Sequence, residues 1–350
     1  MAETHTSSGP AYGPVLERLK LYHELTMRTL LGMVPKKAPA KYLWDLVPLY
    51  PLRGGKGFRP ALCIATCRAF GGSAQAVLPS AVTLELFHNA FLVHDDVEDG
   101  SEYRRGLPTL HSEHGVGIAV NVGDAMNVLS IRPLMDNLTV LGSERTWRVF
   151  QEVEHMVRES VEGQAIELGW VRDNTCDLTA ADYLRMTLKK TCWYTCIHPC
   201  RIGALVAAPT GSLDRFNRFG YFMGAAFQIQ DDVLNLVGDR KKYGKEIGGD
   251  IWEGKRTMIL IHALNQSSVK EKERLGRFLA TPRVQRAAKD VRWVYRLMAK
   301  YDCIEFARSA ARQLAGAALF EFYKAYGALP DSEDKRFLEQ IVTYMIERDL

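Results

Sequence analysis

The sequence predicts an all-α protein, and two observations carry that prediction. Apolar residues recur at the i, i+3, i+4, i+7 spacing of a helix in seven long segments. Sustained alternation of apolar and polar residues, which would indicate strands, is scarce. The predicted helices cover residues 15–31, 79–97, 144–168, 180–208, 214–237, 284–301 and 304–326.

The segments between and before these helices indicate how the chain is organised. Residues 1–12 contain neither a basic stretch nor an apolar run, so we expect a disordered leader and no signal peptide. The helix over 79–97 is apolar on nearly every side, which is typical of an interior helix. Pro199 should kink the helix over 180–208, because proline removes a backbone donor. The breaks are short and we find no repeat, so a single all-α domain is expected over residues 13–350.

Composition and charge exclude several classes of protein. Of the 350 residues 47% are hydrophobic and 25% charged, which is ordinary for a globular chain. The 45 Lys and Arg against 41 Asp and Glu give a net charge of +4, which is no nucleic-acid signature. No run reaches the ~18–20 apolar residues of a membrane span, and a cytoplasmic protein is expected.

The seven cysteines are an odd count, which argues against a disulfide framework and for a reducing compartment. Cys192, Cys196 and Cys200 follow one another at i, i+4 and i+8, on one stripe of a helix. His198 lies among them but falls on another face. We therefore expect three buried, apolar side chains here rather than metal ligands.

Two pairs of adjacent aspartates are the first candidate functional residues. Asp95 and Asp96 end an apolar helix in the run HDDVED at 94–99, and Asp231 and Asp232 end another in QDDVLN at 230–235. Asp95 and Asp99 lie one helical turn apart, where they can hold a hard cation together. A single Asp-Asp pair is more often a solvated helix end. Two such pairs predict two facing groups of carboxylates, one at the end of each helix, that bind Mg²⁺; we call these two groups the acid walls. Zinc is not indicated, since oxygen-only ligands suit Mg²⁺ far better.

Basic residues surround both acid runs. Glycine-rich backbone next to a helix start, as in GGKGFRP at 54–60, lets backbone N–H groups approach an anion. The basic positions are Lys56 and Arg59, Arg104 and Arg105, and Lys245 and Lys255. Together with Mg²⁺ walls they predict a substrate that carries phosphates, most simply a diphosphate. The run at 249–255 imitates a P-loop, but Arg256 stands where Ser or Thr must bind Mg²⁺, and no strand precedes it.

Taken together, these residues resemble the trans-isoprenyl diphosphate synthases of the farnesyl and geranylgeranyl type, from about Gly54 to the C-terminus. The resemblance comprises GGKGFRP at 54–60, DDVED at 95–99, RRG at 104–106, KT at 190–191, FQ at 227–228, DDVLN at 231–235 and the stretch from Gly244-Lys245 to Lys255. The departure is Asn235, where many members have a third aspartate, although some geranylgeranyl-type members resemble this chain.

The resemblance implies a single helical bundle around a deep central cavity (the isoprenoid synthase fold), a homodimer, and three Mg²⁺ ions. It implies that Asp95, Asp99 and Asp231 chelate the allylic diphosphate through metal, supported by Asp96 and Asp232 and assisted by Arg104, Lys190 and Lys255. It further implies that isopentenyl diphosphate binds Lys56, Arg59, His88 and Arg105. Lys245 belongs to the same substrate-binding set. By itself, His88 would more often be a core histidine.

The chemistry implied is ionisation of the allylic diphosphate, condensation with isopentenyl diphosphate and loss of a proton. Metal ions and basic side chains stabilise the leaving diphosphate. Thr191 and Gln228 offer dipoles to the carbocation without attacking it. Phe91 and Phe87 lie about one and two turns before Asp95 and should meet the growing chain, while Ala90 is small. This combination predicts a C20 product, geranylgeranyl diphosphate, with C15 and C25 as alternatives.

Two rival functions remain open at this point. A class I terpene cyclase shares the helical fold and the first acid motif, but it has no use for Lys56, Arg59 and His88. A non-catalytic subunit of a heteromeric synthase could keep the fold while losing its acids, whereas this chain keeps both sets. A nucleic-acid-binding protein is less favoured still, because the arginines lie beside carboxylates.

Overall fold

The computed structural model describes residues 12–208, 210–238 and 248–347, and most of this length is helical, which confirms the predicted all-α class. The helices are α1 (Gly13–Met33), α2 (Leu49–Leu52), α3 (Phe58–Ala69), α4 (Ala74–Asp99), α5 (Leu110–His114), α6 (Val116–Leu129), α7 (Ile131–Leu141), α8 (Ser143–Arg172), α9 (Ala180–Thr187), α10 (His198–Ala207), α11 (Arg215–Val237), α12 (Gly249–Glu253), α13 (Met258–Gln266), α14 (Val269–Ala280), α15 (Ala288–Lys300), α16 (Cys303–Tyr326) and α17 (Glu333–Glu347). Within the described residues the strands are limited to one antiparallel pair, β1 (Tyr103–Arg104) and β2 (Leu107–Pro108).

Helices α11 and α4 lie at the centre of the packed interior. Helix α11 packs along α16 through buried aromatic rings, and Phe219 lies 5.9 Å from Phe322 and 5.6 Å from Tyr326 between ring centroids. Helix α4 packs against α3, α6 and α7. In length and composition α4 alone among the described helices would suffice to cross a membrane, and 67% of its most apolar window is buried inside the protein. The interior position predicted for this helix is therefore confirmed.

The segment predicted as one helix over 180–208 forms three consecutive pieces. A π-helical stretch, Leu188–Ile197, separates α9 from α10. Pro199 is the second residue of α10, directly after the π-helical stretch. Glycines on the neighbouring helices let the backbone of this stretch approach them closely. A Cβ on Gly163 of α8 would lie 2.2 Å from the backbone nitrogen of Lys190. The distortion therefore precedes the proline and lies at the residues expected to contact substrate.

The cysteine prediction is confirmed, since Cys192, Cys196 and Cys200 are each fully buried. Of the leader predicted over residues 1–12, only Tyr12 lies within the described residues. Its ring packs 5.3 Å from that of Tyr344 and its hydroxyl donates to Glu347. Tyr12 thus belongs to the folded body.

Candidate active site

A cavity of about 1060 Å³ lies inside the bundle, lined mainly by α4, α8, α9, the π-helical stretch, α11 and the segment that leads into α3. Its lining includes most of the residues that the sequence singled out: Lys56, Arg59, Phe87, His88, Phe91, Asp95, Arg104, Arg105, Lys190, Thr191, Gln228, Asp231, Asp232 and Lys255. Three others, Ala90, Asp96 and Asp99, are not part of the lining. Lys245 lies outside the described residues.

Asp95 and Asp96 are neighbours in α4 but have different surroundings. Asp95 lines the cavity, where Lys190 donates to its carboxylate at 3.4 Å and Arg104 at 3.2 Å. Asp96 is fully buried, and both of its oxygens accept from Arg104 Nε at 2.8 Å. The Tyr50 hydroxyl also donates to Asp96, at 2.5 Å. Asp96 therefore holds Arg104 in place rather than facing the cavity.

Asp99 ends α4 one turn beyond Asp95. Its carboxylate accepts a hydrogen bond of 2.6 Å from Lys255 Nζ. Burial is the main reason why the pKa of Asp99 rises to about 7; the carboxylates of Asp95 and Glu253 add to this rise, and Lys255 opposes it. A cation beside these buried carboxylates would favour their charged form.

The second acid motif is anchored by a chain of hydrogen bonds. Thr191 Oγ1 donates to Gln228 Oε1 at 2.9 Å, and Gln228 Nε2 donates to Asp232 at 2.8 Å. Tyr183 donates to the other oxygen of Asp232 at 2.7 Å. Burial is the main reason why the pKa of Asp232 rises to about 7, and the carboxylate of Asp231 adds to it. Gln228 keeps a second lone pair on its carbonyl oxygen for a ligand.

Asn235, the departure from the aspartate pattern, has a structural contact of its own. It is 3% exposed, and its Oδ1 accepts from the backbone N–H of Asp250 at 3.1 Å. It thereby holds the start of α12, which carries Asp250 into the cavity lining. An amide serves this contact as well as a carboxylate would.

Acidic partners orient the two lysines of this end of the cavity. Lys190 forms an ion pair with Glu167 as well as with Asp95, and Lys255 with Glu253 at 3.1 Å as well as with Asp99. Burial alone would lower the pKa of Lys190, but these carboxylates outweigh it and raise that pKa, so the ammonium stays charged. The sequence analysis missed Glu167 and Glu253. The available signal for Glu167 was its place on the buried face of α8, where other positions such as Val153 and Met156 are apolar.

A second group of basic residues lines another part of the cavity. Arg59 is 8% exposed, donates to Thr195 at 2.8 Å and stacks 4.2 Å over the Tyr194 ring. Burial lowers the pKa of His88 well below its usual value, and Arg59 and Arg105 lower it further, so the imidazole is neutral. Gly55 has a φ of +148°, a backbone conformation that residues with a Cβ rarely adopt, and a Cβ there would also lie 2.8 Å from the Arg105 guanidinium.

Several buried polar atoms of this group have no hydrogen-bond partner among the described residues. They are Nε of Arg59, Nδ1 of His88, and Nε and Nη1 of Arg53. All three residues line the cavity. Buried polar atoms without a partner are uncommon in folded proteins, and an anionic ligand would accept hydrogen bonds from the arginine nitrogens. Arg53 was missed by the sequence analysis, although it directly precedes the glycine-rich run.

Glu85 is an acidic residue that lies beside these basic side chains. It is 6% exposed, lines the cavity and accepts from Asn89 at 3.2 Å. Burial raises its pKa, whereas Arg59 and Arg105 lower it. Glu85 thus partly neutralises the two arginines, and sequence reasoning gave it no role.

Aromatic rings form one wall of the cavity below Asp95. The Phe91 ring lies 6.2 Å from that of Phe87 and 5.7 Å, edge to face, from that of Tyr194. Tyr194 was not anticipated; it contacts both this wall and Arg59. Ala90 instead is fully buried in a core cluster with Tyr50 and Val122, so an effect of Ala90 on chain length stays a prediction.

The acid walls suit divalent cations in their donor chemistry, since all their ligating atoms are carboxylate oxygens. Among the described residues no three acidic, histidine or cysteine side chains already converge as a complete metal site.

Comparisons with known proteins agree with this geometry. Residues 42–298 match the family described as polyprenyl synthetase. The chain is 30% identical over 323 residues to the geranylfarnesyl diphosphate synthase of Aeropyrum pernix, a match covering 88% of this chain and 98% of that protein.

Two solved structures resemble the fold closely. Geranylgeranyl pyrophosphate synthetase from Pyrococcus horikoshii superposes with a TM-score of 0.84 at 30% identity, covering 97% of this chain and all of that one. Geranylgeranyl pyrophosphate synthase from Corynebacterium glutamicum, solved with isoprenyl diphosphate and magnesium, superposes with a TM-score of 0.78 at 26% identity, covering 96% and 99%.

Proposed function

Because the chain belongs to the polyprenyl synthetase family and is a short-chain trans-prenyltransferase, we propose that it condenses isopentenyl diphosphate with an allylic diphosphate to give mainly geranylgeranyl diphosphate. The observation that carries the proposal is the presence of two separate groups of basic side chains in one cavity. One combines the aspartates with Lys190 and Lys255, and the other contains the unpartnered donors of Arg59 and His88.

We assign the allylic diphosphate to the aspartate end. Family members use divalent metal, and here Asp95, Asp99 and Asp231 are the proposed ligands for Mg²⁺, with three ions as the expected number. When bound, these ions supply positive charge to the leaving diphosphate. Lys190 and Lys255 are already charged and held by carboxylates, so they need no reorganisation to stabilise the same group.

We assign isopentenyl diphosphate to Lys56, Arg59, His88 and Arg105, with Arg53 added from the structure. Arg59 and Arg53 are partly immobilised by Thr195 and by the carbonyl of Pro108, which reduces the entropy lost on binding. Neutral His88 can donate one hydrogen bond without adding charge. Assisting roles for Arg104 and for Lys245 remain part of the proposal.

Between the two sites, the chain's own residues protect the carbocation. The Thr191 hydroxyl and the Gln228 amide are fixed by each other and by Asp232, and neither is a strong nucleophile. The aromatic wall of Phe87, Phe91 and Tyr194 excludes water from the hydrocarbon chain. We propose that the departed diphosphate takes the proton released in the final step.

The structure also supports the proposed homodimer. Consecutive helices α6, α7 and α8 expose a set of large apolar side chains: Val116, Val120, Val128, Ile131, Met135, Leu138, Trp147 and Phe150. Large apolar side chains exposed on helices that pack against one another are what an interface between subunits would cover. A cytoplasmic location remains part of the proposal, supported by free cysteines of which six are buried.

The function is tested by incubating the protein with isopentenyl diphosphate, Mg²⁺ and allylic primers of five, ten or fifteen carbons. Chromatography of the dephosphorylated products should show C20 as the main product, and chelation of the metal should abolish it. Main products of C15 or C25 would correct the length only. Hydrocarbon formed from an allylic diphosphate without isopentenyl diphosphate would indicate a cyclase. Failure to turn over unless a second protein is added would indicate a non-catalytic subunit.

A further inference from the structure

Positive charge is concentrated in one segment of the chain. Residues 269–300 contain ten Lys and Arg against three Asp and Glu, a net charge of +7, whereas the whole chain carries only +4. The rest of the chain is therefore slightly acidic. The segment comprises α14 and α15 and the turn between them.

Seven of the eight basic residues of these two helices fall on one face of their helix, Lys272 being the exception. They recur at three- and four-residue spacing and are exposed: Lys270, Arg274 and Arg277 on α14, and Lys289, Arg292, Arg296 and Lys300 on α15. Residues at this spacing lie in one row along a helix. The two helices are neighbours, because Arg274 stacks 4.0 Å over the Trp293 ring and Lys300 lies 2.7 Å from Glu271. Together the two rows form one surface, which we call the basic face.

The basic face adjoins the end of the cavity that contains the acid walls. In the turn between α14 and α15, Arg283 lies 3.2 Å from Glu253, which in turn lies 3.1 Å from Lys255. The neighbouring Arg286 donates to the carbonyls of Ile251 and Trp252 in α12. The turn that joins the two helices of the basic face therefore contacts α12 and the ion pairs of Lys255 at this end of the cavity.

Apolar side chains are exposed among these charges. Val284, in the same turn, is 92% exposed, Val269 is 76% exposed and Tyr295 is 40% exposed. A purely acidic macromolecule offers nothing to bury such side chains, whereas the headgroup region of a bilayer accepts both basic and apolar groups.

We propose that the basic face docks the protein on an anionic phospholipid bilayer. The advantage of such docking rests on the proposed function, since the proposed product combines a long hydrocarbon chain with a charged diphosphate and partitions into bilayers. The binding itself does not depend on that function. Basic residues near an anionic membrane each raise affinity about fivefold, and the attraction falls within a Debye length.

The test is sedimentation of the full chain with vesicles of phosphatidylcholine alone or mixed with phosphatidylglycerol. The protein should sediment with the anionic vesicles only, and 0.5 M salt should release it. The triple variant Lys289→Glu, Arg292→Glu, Arg296→Glu should lower the partition coefficient at least about 100-fold, since three basic residues are lost and three acidic ones added. A matched control with the same charge change, Lys20→Glu, Arg28→Glu, Lys36→Glu, alters exposed residues of α1 and its C-terminal side and should retain more than a tenth of the binding.

Equal binding to both vesicle types, or equal loss in both variants, would overturn the proposal. Tighter binding to polyaspartate or to duplex DNA than to vesicles would show that the partner is an acidic macromolecule and would also overturn it. Product formation from soluble primers is measured in parallel and should be unchanged in both variants, because none of these residues lines the cavity. An inactive wild-type protein that still binds anionic vesicles would contradict the proposed function and leave the docking surface standing.

Discussion

Replacing Phe91 with alanine should lengthen the product. Phe91 lies four residues before Asp95 on α4, lines the cavity and packs between the rings of Phe87 and Tyr194. A hydrocarbon chain that grows downward from the acid walls therefore meets the Phe91 ring first. Removal of the ring opens the path to Phe87.

The size of the shift follows from helix geometry. Phe87 lies four residues further from Asp95, so the accessible depth increases by about 6 Å. In a polypeptide, the three covalent bonds from one Cα to the next span about 3.8 Å. One isoprene unit adds four such bonds to the hydrocarbon chain and therefore extends it by about 5 Å. One helical turn therefore corresponds to one unit. Phe91→Ala should move the main product from C20 to C25, and the double variant with Phe87→Ala should add one more unit.

The assay is chromatography of the dephosphorylated products, with the rate on a five-carbon primer as a measure of intact chemistry. Phe87→Ala alone is the matched control, because the Phe91 ring still blocks the chain above it and the product should not change. Phe91→Leu, which keeps most of the packing, should give a partial shift if Phe91→Ala folds poorly. An unchanged product from Phe91→Ala, or an equal shift from Phe87→Ala alone, would refute the reasoning.

Three further predictions concern the acids, the second anion site and stability. Asp231→Asn should lower kcat at saturating Mg²⁺ at least 100-fold, as expected for a lost transition-state contact; a near-normal kcat would contradict the metal assignment. Arg59→Ala should raise KM for isopentenyl diphosphate about 10- to 100-fold, the value of a charged hydrogen bond, and KM for the allylic substrate far less; an equal rise in both would mean that the subsites are assigned wrongly. Burial would raise the pKa of Glu152, but hydrogen bonds from Arg201 and His198 lower it to about 2, so its ion pairing stabilises the fold above pH 4.5 and is lost as pH falls toward 2. Glu152→Gln should therefore destabilise the protein by about 3 kcal/mol at pH 7 and by progressively less below pH 4.5, and a pH-independent difference in denaturant midpoints would contradict this.

The sequence by itself determined the helical class and the identity of the two acid motifs. Helical periodicity is a local property, because residues three and four apart share a face whatever the rest of the chain does. Adjacent carboxylates at the ends of apolar helices are likewise recognisable without a structure, since both the run and the helix that it ends are contiguous in the chain. The glycine-rich run before Arg59 was identified in the same way.

Only the tertiary structure decided which member of each local group faces the cavity. Asp95 and Asp96, or Ala90 and Phe91, are adjacent in sequence but point to different sides of α4, and the packing of α6 and the bundle decides which side is core. The contributions of Arg53, Glu85, Glu167 and Tyr194 depend on partners far away in the chain, as in the pair of Lys190 with Glu167. The π-helical stretch that carries Lys190 and Thr191 passes close to α8 at Gly163. Such contacts join residues that are not related by helical spacing in the sequence. They are therefore defined only once the helices have packed.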